Sequence, residues 1–107
     1  MADQKKDFFT SSLVLAEIAW TLFRVYHYQK DDAAEILSSV ASLSSLKFSD
    51  KYSPVTAVGL YKKYNVKFAD CLIASHPAIA SGRMPIVSYD RDFDRLGIKR
   101  FEPPQFL

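Results

Sequence analysis

The sequence has little of several features that define other protein classes. Its 107 residues include one cysteine and three glycines, and 14 basic residues are nearly balanced by 12 acidic residues. A single cysteine excludes a disulfide scaffold and a cysteine-built zinc site within one chain. The small net charge and the 49% share of apolar residues exclude a disordered, highly charged tail. We therefore predict one small globular domain over residues 1–107, in a reducing, cytoplasmic setting.

The sequence also lacks a hydrophobic run long enough to cross a membrane. Its most apolar stretch, from Leu13 to Tyr28, is interrupted by polar residues and falls short of the roughly 20 residues that a spanning helix needs. The residues before it are charged, and the run lacks the small-residue pattern of a signal-peptide cleavage site. We therefore expect a buried helix here and no membrane partner.

Strand patterns and helix patterns alternate along the chain. Short apolar segments predict strands over 8–11, 46–49, 85–89 and 98–101. Helical spacing of apolar residues predicts helices over 13–28, 32–43, 55–64 and 69–81, and a single turn over 92–96. Pro77 is expected to end or kink the fourth helix early, and Gly82 to stop it. This alternation predicts the α/β class with a mainly parallel sheet.

Three carboxylates stand in or beside apolar segments. Glu17 is the only charged residue between Leu13 and Thr21. In a buried helix it must be protonated, paired with a cation or bound to a metal ion, whereas on an exposed strip it needs no partner. Asp70 lies in the first turn of an apolar helix, where it caps the helix, interacts with the helix dipole or joins a site. Asp90 follows the clearest strand, at the sheet edge where α/β proteins bind ligands.

A set of ligands made only of oxygen atoms selects a hard cation. No cysteine or converging histidine accompanies the three carboxylates, so they predict a site for Mg²⁺ or Mn²⁺. Such an ion polarises a phosphoryl oxygen and generates a hydroxide nucleophile, and phosphodiester hydrolysis is therefore the chemistry that the set best supports. Asp92 and Asp94, two residues apart in the next turn, are better explained as part of a solvated turn that caps a short helix.

Three segments resemble, in the same order, the signature motifs of PIN-domain ribonucleases, especially the VapC-type toxins. They are residues 10–18 (TSSLVLAEI), 68–74 (FADCLIA) and 86–97 (IVSYDRDFDRLG). The resemblance extends over almost all of the chain. It implies a three-layer α/β/α domain that holds divalent ions with acidic residues and cleaves RNA.

The resemblance also implies roles for individual residues. Glu17, Asp70 and Asp90 would be the catalytic, metal-binding acids, and Asp92 would be a further metal ligand. Ser88 would orient water or phosphate. Apart from the resemblance, two basic residues follow Asp90 closely, and we expect them to bind the RNA phosphates: Arg91 and Arg95.

The chain departs from the family pattern at its beginning. The family starts with a central strand that carries its first catalytic Asp, but only sixteen residues precede Glu17 here, and neither Asp3 nor Asp7 follows an apolar strand. We therefore expect an N-terminally truncated domain, or a strand supplied by another chain. Because unpaired sheet edges favour association, we expect either direct pairing of the strands at 8–11 and 85–89 or a homo-oligomer. Activity is expected to be weaker, because fewer carboxylates hold the ion less firmly.

Two functions follow from this pattern. The first is a divalent-metal-dependent endoribonuclease of the VapC toxin type, for which the resemblance implies a dimer in the cytoplasm that a VapB-like antitoxin blocks. The alternative is a non-catalytic PIN-like remnant that keeps the fold and the acidic pocket but acts as a binding or assembly module. Divalent-ion binding and RNA cleavage, measured on the same sample, separate the two.

Overall fold

A computed structural model describes residues 8–106, in which helices and strands alternate. The strands are β1 (Phe8–Thr10), β2 (Leu46–Phe48), β3 (Ile86–Val87) and β4 (Arg100–Phe101). The helices are α1 (Ser12–Arg24), α2 (Lys30–Ala41), α3 (Pro54–Lys63), α4 (Phe68–Ala74), α5 (Pro77–Ala80) and α6 (Asp92–Arg95), followed by a 3₁₀ turn at Pro103–Phe106. The predicted α/β class is confirmed. Asp3 and Asp7 lie outside the described residues.

The strands form parallel pairs, as predicted. β1 pairs with β2, with Phe8 opposite Leu46, and β3 pairs with β4, with Ile86 opposite Arg100. Within residues 8–106 these are two separate two-stranded sheets, so the expected direct pairing of β1 with β3 is wrong. The two strands of each pair are instead consecutive in the chain, because the helical segment between them provides the crossover that a parallel pair requires.

Helix α1 is much less buried than predicted. Only Ser12, Leu15 and Ala19 are buried, and they share one face of the helix because they are three and four residues apart. Large apolar side chains on its other sides, including Leu13 and Trp20, are exposed. The helix also ends at Arg24 rather than at Tyr28. The reason is local, since the chain then turns through residue His27, whose positive φ of 57° is incompatible with a right-handed helix. Within the described part of the chain, no helix is long and apolar enough to cross a membrane.

The beginning of α1 is held by a residue far away in the sequence. The backbone N–H of Ser12 donates to Oδ2 of Asp50 over 2.7 Å, and the Ser12 hydroxyl donates to Oδ1 over 2.7 Å. Ser12 is fully buried. Asp50 therefore satisfies a helix-terminal N–H that α1 itself cannot pair, and joins α1 to the segment that follows β2.

Local signals set the ends of the later helices. Ser53 caps α3 by accepting a hydrogen bond from the backbone N–H of Thr56, and Pro54 is the first helical residue. Pro77 divides the predicted fourth helix into α4 and α5, as expected. Gly82 follows with a φ of 81°, a conformation that favours glycine at a helix end.

Helix α4 lies between two groups of buried side chains. The larger group joins it to α1, α2 and α3 through residues that include Leu15, Leu37 and Cys71. The smaller group joins its last residue, Ala74, to α5, α6 and the chain after α6. Burial, together with the nearby charge of Asp70, raises the pKa of the Cys71 thiol to about 11, so this cysteine is an inert core residue. α4 is thus anchored on both sides, which positions the side chains of its first turn.

Candidate metal centre

Three aspartates from two separate parts of the chain converge at the beginning of α4. Asp70 lies in the first turn of α4, Asp90 follows β3, and Asp92 begins α6. Each offers one carboxylate oxygen, and these three oxygens lie within 4.8 Å of one another. Like charges this close repel one another, so the group needs protons or cations to balance it.

Asp70 is the buried member of the group. The residue is 7% exposed, and its Oδ2 atom accepts no hydrogen bond within the described structure. Its side chain does not cap α4, which excludes the capping alternative for this residue. Burial, reinforced by the adjacent Asp90, raises the pKa of the Asp70 carboxyl to about 6. A buried carboxylate oxygen that accepts no hydrogen bond is costly, and a bound cation would remove that cost.

Lys67 places a positive charge over the group. Its Nζ atom lies 2.8 Å from Oδ2 of Asp90 and 3.8 Å from Oδ2 of Asp70. The hydrogen bond from Lys67 lowers the pKa of the Asp90 carboxyl, and the backbone N–H of Asp92 lowers it further. Lys67 was not among the predicted site residues. Its position three residues before Asp70, on the same side of a helix start, was the signal that could have identified it.

Hydrogen bonds within the turn after β3 orient the second and third aspartates. The backbone N–H of Asp92 donates to Oδ1 of Asp90 over 2.9 Å. The backbone N–H of Asp90 donates in turn to the hydroxyl of Ser88 over 3.0 Å. Ser88 therefore helps to hold the turn that carries both carboxylates.

Basic residues flank the three aspartates, and they differ in whether their side chains already have hydrogen-bond or ion-pair partners. Arg91 is exposed, and its guanidinium makes no hydrogen bond or ion pair with another described residue. Arg95 donates to the backbone carbonyl of Asn65. Arg100 is held on the other side of the turn by Asp94 and Glu102. Asp94 thus serves as an ion-pair partner outside the convergent group.

The structure does not bring Glu17 to the three aspartates. Glu17 is exposed on α1 and lines a separate shallow depression with Val14 and Thr21. It lies two residues from both Leu15 and Ala19, which places it on the opposite side of the helix from the core. Of the two alternatives for Glu17, the structure shows the exposed position and not the buried charge. Its predicted role as a metal ligand stays a prediction.

A cleft of about 470 Å³ opens beside the three aspartates. One wall comes from α1, with Trp20 and Phe23, and the opposite wall from the chain around the beginning of α4, including Lys67. Asp92 also lines this cleft, so the cleft and the aspartate group share a boundary. A ligand bound at the aspartates would extend naturally into it.

The raised pKa of Asp70 predicts a pH dependence of metal binding. Because a protonated carboxyl cannot bind a cation, we expect the Mn²⁺ affinity to fall by roughly tenfold between pH 7 and pH 5, across the pKa of about 6. The metal-free protein should show the opposite trend. Its folded state favours the protonated carboxyl, so the free energy of unfolding should fall as the pH rises from about 4 to above 6. Calorimetric titration measures the first trend, and denaturant unfolding at the same pH values measures the second. A Mn²⁺ affinity that does not change between pH 7 and pH 5 would contradict the expectation.

The sequence matches known proteins over nearly its whole length. The PIN domain family matches residues 1–99, a range that includes all three convergent aspartates. A VapC ribonuclease of Aquifex aeolicus (strain VF5) is 28% identical over 105 residues, which cover 96% of this chain and 76% of that protein. No solved structure matches the chain.

Proposed function

This chain belongs to the PIN domain family, and on that basis we propose that it is a divalent-metal-dependent endoribonuclease of the VapC type. The observation that carries the proposal is the convergence of Asp70, Asp90 and Asp92 around a buried carboxylate oxygen that accepts no hydrogen bond. The similarity to a VapC ribonuclease supports RNA as the substrate.

The chemistry of the aspartate group fits a hard divalent cation. All three side chains offer carboxylate oxygens, and Oδ2 of Asp70 has an unused acceptor site in the interior. We therefore assign Mg²⁺ or Mn²⁺ to Asp70, Asp90 and Asp92, with Glu17 as a further proposed ligand from α1. When bound, such an ion polarises a phosphoryl oxygen and makes water a stronger nucleophile.

We propose that basic residues of the chain neutralise the negative charge of the substrate. Lys67 offsets only one of three negative charges, and its side chain is 67% exposed. The Lys67 side chain can therefore move away from the aspartates when a divalent cation binds to them. Arg91 and Arg95 belong to the same short segment as Asp92, and we propose that they bind the RNA backbone. Ser88 keeps Asp90 oriented and stays a proposed contact for water or phosphate.

The proposed partners follow from the VapC-type assignment. They are a VapB-like antitoxin that blocks the site and a second copy of the chain, in the cytoplasm. Large exposed apolar side chains on and just after α1, among them Leu13, Val14 and Tyr26, support the existence of a protein contact on this side of the molecule.

The proposal is tested by measuring Mn²⁺ binding and single-stranded RNA cleavage on one preparation of the chain. We expect calorimetric binding of Mn²⁺, and cleavage that requires Mg²⁺ or Mn²⁺ and stops when a chelator removes them. Cleavage that continues in the chelator would contradict the role of the metal. Mn²⁺ binding without cleavage would favour the non-catalytic binding module, and the absence of both would overturn the proposal.

A further inference from the structure

The cleft beside the aspartate group has an aromatic wall. Trp20 is 62% exposed and Phe23 is also exposed, although both belong to a helix whose other face is in the core. The small side chains of Ala16 and Ala19, on the same helix, also line the cleft. Exposed aromatic faces in a concave site are suited to stack on a planar ligand.

The charged residues of the cleft are mostly basic. Arg24 also lines the cleft, and its guanidinium makes no hydrogen bond or ion pair within residues 8–106. Lys30 already has partners: its Nζ atom donates a hydrogen bond to the carbonyl of Tyr64 and lies 4.9 Å from the ring centre of Tyr61. Lys67 adds a third positive charge, and Asp92 is the acidic residue that lines the cleft. An apolar, aromatic wall with a basic edge complements a ligand that is both planar and anionic, as a nucleotide is.

We infer that this cleft binds an unpaired nucleobase of the substrate strand, stacked on Trp20, with a neighbouring phosphate paired to Arg24. The inference rests on the proposed function, in which the adjacent aspartates hold the metal ion that acts on a phosphate of the RNA. It also narrows the substrate class. A base within a duplex must be unstacked and unpaired before it can enter such a cleft, so single-stranded RNA should bind more tightly than duplex RNA.

Trp20 reports on the cleft directly, because it is the only tryptophan in the sequence. The experiment uses an Asp70→Asn chain, which is expected to bind RNA without cleaving it. A short single-stranded RNA should quench the Trp20 fluorescence, and the duplex of the same sequence should need about tenfold more RNA for the same quenching. A titration in which Trp20 fluorescence is unchanged although the anisotropy of end-labelled RNA shows saturation would overturn the inference, and so would equal affinity for the duplex.

Variants of the cleft make the test specific. Trp20→Ala should raise the Kd for labelled single-stranded RNA by about tenfold, within the range measured when a stacking ring is lost, and Trp20→Phe should restore most of the affinity. Arg24→Gln should lower the slope of log Kd against log salt by about one. Phe9→Ala is the matched control, because Phe9 is a 76% exposed aromatic residue on β1 that does not line the cleft. An equal loss of affinity in the Phe9→Ala chain would contradict the assignment.

The failure of this inference can be told apart from failure of the proposed function. If the wild-type chain cleaves RNA but Trp20→Ala leaves the Kd unchanged, the nuclease proposal stands and the nucleobase site is wrong, which leaves the cleft to a protein partner. If RNA quenches Trp20 but the wild-type chain never cleaves it, the nucleobase site stands and the nuclease proposal is wrong.

Discussion

Replacing Asp70 by asparagine is expected to abolish Mn²⁺ binding and to lower the rate of RNA cleavage by at least about 100-fold, because a metal ion supplies several kcal/mol of transition-state stabilisation. The amide has nearly the same shape as the carboxyl group, so α4 should remain in place. It lacks the negative charge that a hard cation requires, and Asp70 contributes the one buried oxygen of the group that accepts no hydrogen bond. Calorimetry with Mn²⁺ and a cleavage assay on the same samples measure both effects.

The same Asp70→Asn substitution should stabilise the metal-free protein. Ionisation of Asp70 above its pKa of about 6 opposes folding at neutral pH, so an uncharged amide should raise the free energy of unfolding by about 2 kcal/mol at pH 7. Glu35→Gln, which removes an exposed charge from α2, is the control and should change neither binding nor cleavage. Unaltered Mn²⁺ affinity in the Asp70→Asn chain would show that the metal centre is elsewhere. A gain in stability together with lost activity is the pattern expected of a functional site.

Replacing Asp50 by alanine should be the most destabilising of the substitutions considered, with a loss of about 3 kcal/mol in the free energy of unfolding. Both carboxylate oxygens of Asp50 accept hydrogen bonds from Ser12, which is fully buried. Alanine would leave a buried N–H and a buried hydroxyl without their partner, and would also remove the cap of α1. Urea unfolding followed by circular dichroism measures the change.

Two further variants test whether the loss of stability in Asp50→Ala comes from the lost hydrogen bonds to Ser12. Asp50→Asn keeps one carbonyl oxygen as an acceptor, so it should lose less stability than Asp50→Ala. Asp32→Ala, at an exposed position in the first turn of α2, should cost less than about 1 kcal/mol. A loss below that value for Asp50→Ala would mean that water replaces Asp50 at the beginning of α1.

The ends of several helices were predictable from the sequence because they depend on local stereochemistry. Pro77 cannot continue a helix, and it separates α4 from α5. Gly82 and Gly97 adopt positive φ angles of 81° and 71° that favour glycine, and each follows the end of a helix. The alternation of strands and helices, and with it the α/β class, required no knowledge of contacts between distant residues.

The burial of α1 was not predictable in the same way. Apolar residues lie on nearly every side of this helix, so the pattern alone indicated complete burial. In the structure only Ser12, Leu15 and Ala19 of this helix are buried, and Glu17 on the opposite side is exposed. How much of a helix is buried depends on how many other elements contact it, and that number is a property of the assembled fold.

By itself, the sequence determined the class of the fold, the limits of most elements and the presence of acidic residues at the beginning of α4 and after β3. Backbone sterics and short-range spacing, which act within a few residues, were sufficient for this. Only the tertiary structure decided that Asp70, Asp90 and Asp92 converge without Glu17, that Lys67 covers them, and that Asp50 caps a helix 38 residues away. Those outcomes depend on which distant segments come into contact when the core forms, and no local pattern of residues specifies that.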